Sequence, residues 1–306
     1  MLGEEGWEGY ALLGTGRSIA QADPALGSEA GMNLIVPAGS VPEAAAAILA
    51  DAAAPRLVAV GGGKVIDVAK AIASLSAEVE VCAIPTTLAG STMTRFHRFP
   101  EGHTPSRAVR PAFVIADPQA MCSAPADLLR ATAANALAHA TDCLFGAQAD
   151  AATRADALRA VSLIVAGLED ADQERLALGA LAAGDAIDRA GFGLQHALAQ
   201  SAVAASGSAE HARIHAAILP FAIVAQAERR PQAVEGLADA LGGEVEPRLT
   251  QVAGSEPLGS LGVDAVVGSE AATMAAARPE AANPPDGEPW TVEQLQGILA
   301  CAGAGA

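Results

Sequence analysis

The chain has 306 residues, with 18 Lys plus Arg against 35 Asp plus Glu and a formal net charge of −17. That balance excludes docking on nucleic-acid phosphates or on an anionic membrane, both of which need a basic face. Apolar residues at 51% supply core for about two domains, and aromatics at 3% leave the packing to Ala, Leu and Val.

No stretch reaches the roughly 18 unbroken apolar residues of a membrane span. The acidic start, MLGEEGWEGY, lacks the basic-then-apolar layout of a signal peptide. Cys82, Cys122, Cys143 and Cys301 are scattered and form no CxxC pair, so neither a zinc ribbon nor a disulfide framework is expected. A reduced, cytoplasmic protein is the expectation.

From residue 30 to 120, strand-like and helix-like segments alternate. Residues 33–37 read as a strand, and 41–53 as an Ala-rich helix with Ser40 at its N-cap and Pro42 in its first turn. Residues 56–60 form a buried-strand run that ends in Gly61-Gly62-Gly63, and 65–75 read as the next helix. Strands follow at 79–84 and 112–116. Strands separated by helices pair in parallel, so residues 1–124 are assigned to an α/β domain. Residues 125–306 are assigned to an all-helical domain. The pattern runs from 126 to 241, with breaks expected at Gly146, Gly191 to Gly193, Gly207 and Pro220. Residues 244–289 are rich in Gly and Pro and read as loops with one or two short helices; 291–300 read as a last helix capped by Thr291.

Three constellations carry chemistry. In the first, strand 57–60 runs into Gly61, Gly62, Gly63 and Lys64 and then into a helix with Asp67 and Lys70. Glycines let a backbone approach a ligand, and a helix start offers N–H groups to a pyrophosphate. A tight strand-to-helix turn with two surface lysines, the only two in the chain, is the alternative. The second, Thr86, Thr87, Gly90 and Ser91, follows a strand, where ligands bind in open α/β sheets. A polar loop that caps its own helix reads equally well. The third is histidine. Of six, His139, His196, His211 and His215 fall in the helical half. Asn135 and His139 share a helix face by their i, i+4 spacing, as do His211 and His215. Four imidazoles in an Ala-rich domain point to a shared polar pocket, as metal ligands or proton donors.

In this order, the motifs resemble the iron-containing alcohol dehydrogenase superfamily, over roughly residues 30–300. The matches are Gly61 to Lys70, Pro85 to Thr94, Asn135 to Ala140, and His196 with His211. Asn135 stands where metal-dependent members have their first ligand, an Asp. His211-Ala-Arg-Ile-His215 with Leu219-Pro220, and the Ala282-Asn283-Pro284 tail, are similar to the maleylacetate reductase subfamily. The resemblance implies a truncated, Rossmann-like parallel α/β domain, a helical catalytic domain of the dehydroquinate synthase-like architecture, and a homodimer. It implies NADH or NADPH as cofactor, no metal, and a small carboxylate-bearing enone or carbonyl substrate. Gly61, Gly62, Gly63, Lys64, Asp67, Thr86, Thr87, Gly90 and Ser91 would then hold the cofactor. Asn135, His139, His196, His211 and His215 would bind and protonate substrate. A neutral amide in place of a carboxylate is a poor ligand for a divalent ion, consistent with the loss of metal. Arg213 is a candidate for the substrate carboxylate, with a solvated surface arginine as the alternative. Asp142 lies near the His139 face, but the family pattern puts no ligand there.

Several departures fall on the cofactor side. Lys64 replaces a serine and Thr92 a glutamate. The family lysine after the second motif is missing, and residues 102–106 offer only His103 or the adjoining Arg107 nearby. Gln200 replaces a further histidine. Gly14-Thr15-Gly16 connects to Asn33 so briefly that a strand and helix near the adenosine ribose read as deleted. These departures motivate an alternative, a repurposed member doing redox-neutral acid–base chemistry in a biosynthetic pathway. A third reading is a non-catalytic subunit, against which the four retained histidines speak.

Overall fold

The computed structural model describes residues 3, 6–104, 107–207, 210–254 and 256–304, and Pro105 and Ser106 of the departed stretch lie outside them. The chain divides into two compact units, Met1–Ala124 and Pro125–Ala306.

The first unit is built on β1 (Ala11–Gly14), α1 (Gly16–Gln21), α2 (Pro24–Glu29), β2 (Met32–Ile35), α3 (Val41–Ile48), β3 (Arg56–Gly61), α4 (Gly63–Ala73), β4 (Glu80–Pro85), β5 (Phe113–Val114) and α5 (Pro118–Met121). All five strands are parallel, in the order β2-β1-β3-β4-β5. Side chains alternate along β3: Leu57 and Ala59 join one apolar layer with α3 and α4, while Val58 and Val60 join another with Trp7, Tyr10, Ile19 and Leu26. Period-two alternation thus buries both faces. Ser40 is the N-cap of α3, as the sequence predicts, and the structure adds a reciprocal exchange with Glu43.

The link after Gly14-Thr15-Gly16 holds two short helices, α1 and α2, and no strand, so β1 and β2 are direct neighbours in the sheet. The connections leave β1 on one face and β3 on the other, so strand order reverses between them. In open α/β sheets ligands bind beyond the carboxyl ends of the strands at such a reversal.

The second unit comprises α6 (Ala126–Asp142), α7 (Ala151–Glu169), α8 (Gln173–Ala190), α9 (Leu194–Ser206), α10 (His211–Arg229), α11 (Leu237–Leu241), α12 (Val245–Ala253), α13 (Ala265–Ala276), α14 (Pro279–Ala282) and α15 (Val292–Ala304). Its main apolar layer packs Leu198, Ile214, Ile218, Leu295 and Ile298 with many alanines. Breaks fall at Gly146, Gly191 to Gly193 and Gly207 as expected, but α10 continues through Pro220. Residues 214–220 are all buried, so packing holds the helix where local chemistry predicts a break. Residues 244–289 are also more helical than their Gly and Pro content implies, because α12 and α13 bury Leu249, Val252, Ala271 and Ala275. Thr291 caps α15 in exchange with Gln294. Among the described residues no helix is long and apolar enough to cross a membrane.

Candidate active site

The two glycine- and threonine-bearing motifs of the first unit come together at the ends of β3 and β4. Thr86 N–H donates to Gly61 O at 3.0 Å, and Ser91 Oγ donates to Gly63 O at 3.4 Å. A methyl at Gly63 would lie 2.9 Å from Ala89 Cβ and 3.1 Å from Ser91 Oγ, so glycine is what lets the loop after β4 sit on the start of α4. The N-cap of α4, Gly62, supplies no side-chain cap. The positive end of an 11-residue helix therefore points out beyond the strands with no acceptor of its own. These features fit a dinucleotide pyrophosphate.

Lys70 is fully buried and donates to Asp67 Oδ1 at 2.9 Å, Phe96 O at 2.7 Å and Ser91 O at 3.2 Å. Burial pushes the Asp67 carboxyl up, against the opposing pull of Lys70. This pair fastens α4 to the loop of Ser91. The substitutes for the missing family lysine are spent elsewhere. His103 Nδ1 lies 2.8 Å from Glu101 O, and Arg107 donates to Ser76 O and Val79 O.

In the second unit the four histidines converge, from α6, α9 and α10. Ring centroids lie 5.9 Å apart for His139 and His196, 5.1 Å for His196 and His215, and 4.4 Å for His211 and His215. Phe192 stacks flat on His196, centroids 3.7 Å apart and planes at 6°. Neither Phe192 nor Gln195, whose Nε2 donates to His215 O, is flagged by residue type; the turn glycines around Phe192 are the one sequence signal. Among the described residues, five buried polar atoms here have no hydrogen-bond partner: Asn135 Oδ1, His139 Nδ1, Gln195 Oε1, His196 Nδ1 and His215 Nε2. Each orphan costs about 1–3 kcal/mol, so their gathering in one place marks a polar ligand site. His211 also lines a cavity of about 520 Å³ with Arg130 and Arg213.

Burial, reinforced by His211, pushes His139 down to about 4. Burial likewise holds His196 and His215 well below the usual imidazole range, with neighbouring imidazoles adding to it. His139, His196 and His215 are neutral at pH 7. Asp142, buried beneath it, accepts from Gly193 N–H at 2.8 Å, Gln195 N–H at 3.1 Å, His196 N–H at 3.2 Å and Gln226 Nε2 at 3.3 Å. Both carboxylate oxygens hold the start of α9 and are not offered to a ligand. Among the described residues no group of three or more His, Cys, Asp or Glu is disposed to hold a metal ion. A neutral imidazole is itself a good metal ligand; what this cluster lacks for a divalent ion is a carboxylate to offset the ion's charge, since Asp142 is engaged. Arg213 is exposed and forms ion pairs with Glu256 and Glu210, which favours the solvated-surface alternative over a substrate contact.

A parallel sheet with a glycine loop at its switch point is thus joined in one chain to a helical unit with a histidine cluster, the layout of a nucleotide-binding unit and a polar ligand pocket. The chain matches the model for iron-containing alcohol dehydrogenase over residues 37–118 and that for the C-terminal domain of the Fe-containing alcohol dehydrogenase family over 130–265. It is 33% identical over 298 residues to a maleylacetate reductase of Sphingobium indicum, covering 92% of this chain and 82% of that one. The maleylacetate reductase structure from Agrobacterium tumefaciens superposes with a TM-score of 0.88 at 25% identity, covering 100% and 92%. An iron-containing alcohol dehydrogenase from Corynebacterium glutamicum gives 0.85 at 27%, covering 98% and 89%. The chain belongs to the iron-containing alcohol dehydrogenase family and is an oxidoreductase.

Proposed function

We propose that the chain is a metal-independent, NAD(P)H-dependent reductase of the maleylacetate reductase type, acting on a small carboxylate-bearing enone or carbonyl compound. NAD(P)H, when bound, supplies a hydride. Gly61 to Gly63 and the open start of α4 receive its pyrophosphate, with Thr86, Thr87 and Ser91 lining the loop. The observation that carries the substrate assignment is the set of orphaned polar atoms on Asn135, His139, Gln195, His196 and His215.

A bound carboxylate changes the charge state of that cluster. An anion beside an imidazole favours its protonated form, so substrate binding draws a proton into histidines that are neutral without it. That proton then goes to the carbon next to the carbonyl once hydride has arrived at the far end of the double bond. Arg278 supplies a guanidinium: it donates to Ser201 Oγ at 3.0 Å, its charge reaches His196, and it forms no ion pair among the described residues. This is the arginine suited to the substrate carboxylate.

The test is nicotinamide oxidation with maleylacetate by chelator-treated protein. Saturable oxidation that chelation leaves unchanged is expected. Turnover that appears only on adding metal overturns the metal-independent part. Failure to oxidise either cofactor with maleylacetate or with simpler 2-enone acids overturns the reductase reading and turns attention to redox-neutral chemistry at the same histidines.

A further inference from the structure

The lysine in the glycine loop reaches across the sheet. Lys64 is the second residue of α4, which follows β3, and its Nζ donates to Pro37 O at 2.9 Å, just beyond β2. β1 lies between β2 and β3 in the sheet. The side chain therefore bridges the carboxyl end of β1, at Gly14, Thr15 and Gly16. Thr15 and Gly16 are exposed, and a methyl at Gly16 would meet nothing within 4 Å, so the end of β1 is open to solvent.

Strand order reverses between β1 and β3, and open α/β sheets take a dinucleotide across such a reversal, with one end of the crevice left to the adenosine ribose. A carboxylate there takes the 2′-hydroxyl of NAD, and a cation takes the 2′-phosphate of NADP. Residues 14–17 and 36–40, which follow β1 and β2, contain neither Asp nor Glu. Glu43, an acid that feels the charge of Lys64, is engaged by the N–H and hydroxyl of Ser40 at 2.8 Å each. The remaining arrangement is a half-buried ammonium held, among the described residues, by a single backbone carbonyl, a neutral acceptor that a phosphate outcompetes through its charge.

We propose that Lys64 selects NADPH over NADH by exchanging the Pro37 carbonyl for the 2′-phosphate of the adenosine ribose. The inference rests on the reading of the first unit as a dinucleotide site. It deepens that reading by naming which nicotinamide is taken and which residue decides.

The experiment is a titration of the full chain with NADPH and NADH, followed by fluorescence of the bound nicotinamide, in the natural protein, Lys64→Ser and Lys64→Met. The natural protein should bind NADPH about tenfold or more tightly than NADH, as one added charge-assisted contact of about 1.4 kcal/mol requires. Both variants should lose most of that preference, with the NADH dissociation constant moving by less than about threefold. NADH bound as tightly as NADPH by the natural protein overturns the role of Lys64 and leaves the dinucleotide site standing. Equal weakening of both cofactors in variants with unchanged melting curves also overturns it, because Lys64 would then serve the shared pyrophosphate. Saturable binding of neither cofactor overturns the dinucleotide reading itself.

Discussion

Asp142 accepts the main-chain N–H of His196 at 3.2 Å, so a buried carboxylate on one helix holds the backbone of a cluster histidine on another. The same carboxylate takes the N–H groups of Gly193 and Gln195, and with them the turn that stacks Phe192 on His196. In Asp142→Asn the amide presents an NH2 to backbone donors that need an acceptor. We expect a loss of about 2 kcal/mol or more in denaturant unfolding. An unchanged midpoint would remove this account of how His196 is placed.

Acid should destabilise the helical unit through its histidines. His139 stands at about 4 in the folded chain against 6.5 unfolded, so between those values the unfolded chain binds the extra proton. Stability from this residue is complete above pH 6.5 and is lost as pH falls toward 4, by about 3 kcal/mol. His196 and His215 act in the same direction. Asp142 opposes them: burial raises it to about 6, so its cost is present above pH 6 and is relieved on acidification. Thermal melts from pH 7.5 to 4 should show a falling midpoint, with a shallower fall in His139→Gln and a steeper one in Asp142→Asn. A midpoint independent of pH across this range would contradict the neutral, buried cluster.

The two arginines separate cleanly by kinetics. Arg278→Ala should raise KM for a carboxylate substrate about tenfold or more, with the effect smaller on an uncharged enone. Arg213→Ala should leave KM within about twofold and the melting midpoint essentially unmoved, since its partners are exposed glutamates. The reverse pattern would restore Arg213 as the substrate contact.

Lys70 is a test of the first unit. Lys70→Met leaves Asp67 without its counter-charge and removes a donor from Ser91 O and Phe96 O. We expect about 3 kcal/mol of destabilisation, read by denaturant unfolding, and partial recovery in Lys70→Met with Asp67→Leu. A single variant as stable as the natural chain would show that the buried Lys70 ammonium does not hold α4 to the Ser91 loop.

The local sequence by itself determined the strand-to-glycine-to-helix passage at Gly61 to Lys64, the Ser40 and Thr291 N-caps, and the i, i+4 pairing of Asn135 with His139 and of His211 with His215. Each depends on residues a few positions apart, so spacing alone settles it. Tertiary structure decided the rest. Packing carried α10 through Pro220, made helices of a Gly- and Pro-rich segment, and laid β2 against β1 across a link too short to look like a crossover. It also assigned the charged groups. Arg213 turned to Glu256, Asp142 went beneath His196, and Lys64 reached Pro37, 27 residues away. A side chain's charge state and partner depend on what the fold brings within about 3 Å of it, and that distance is not written in the order of the residues.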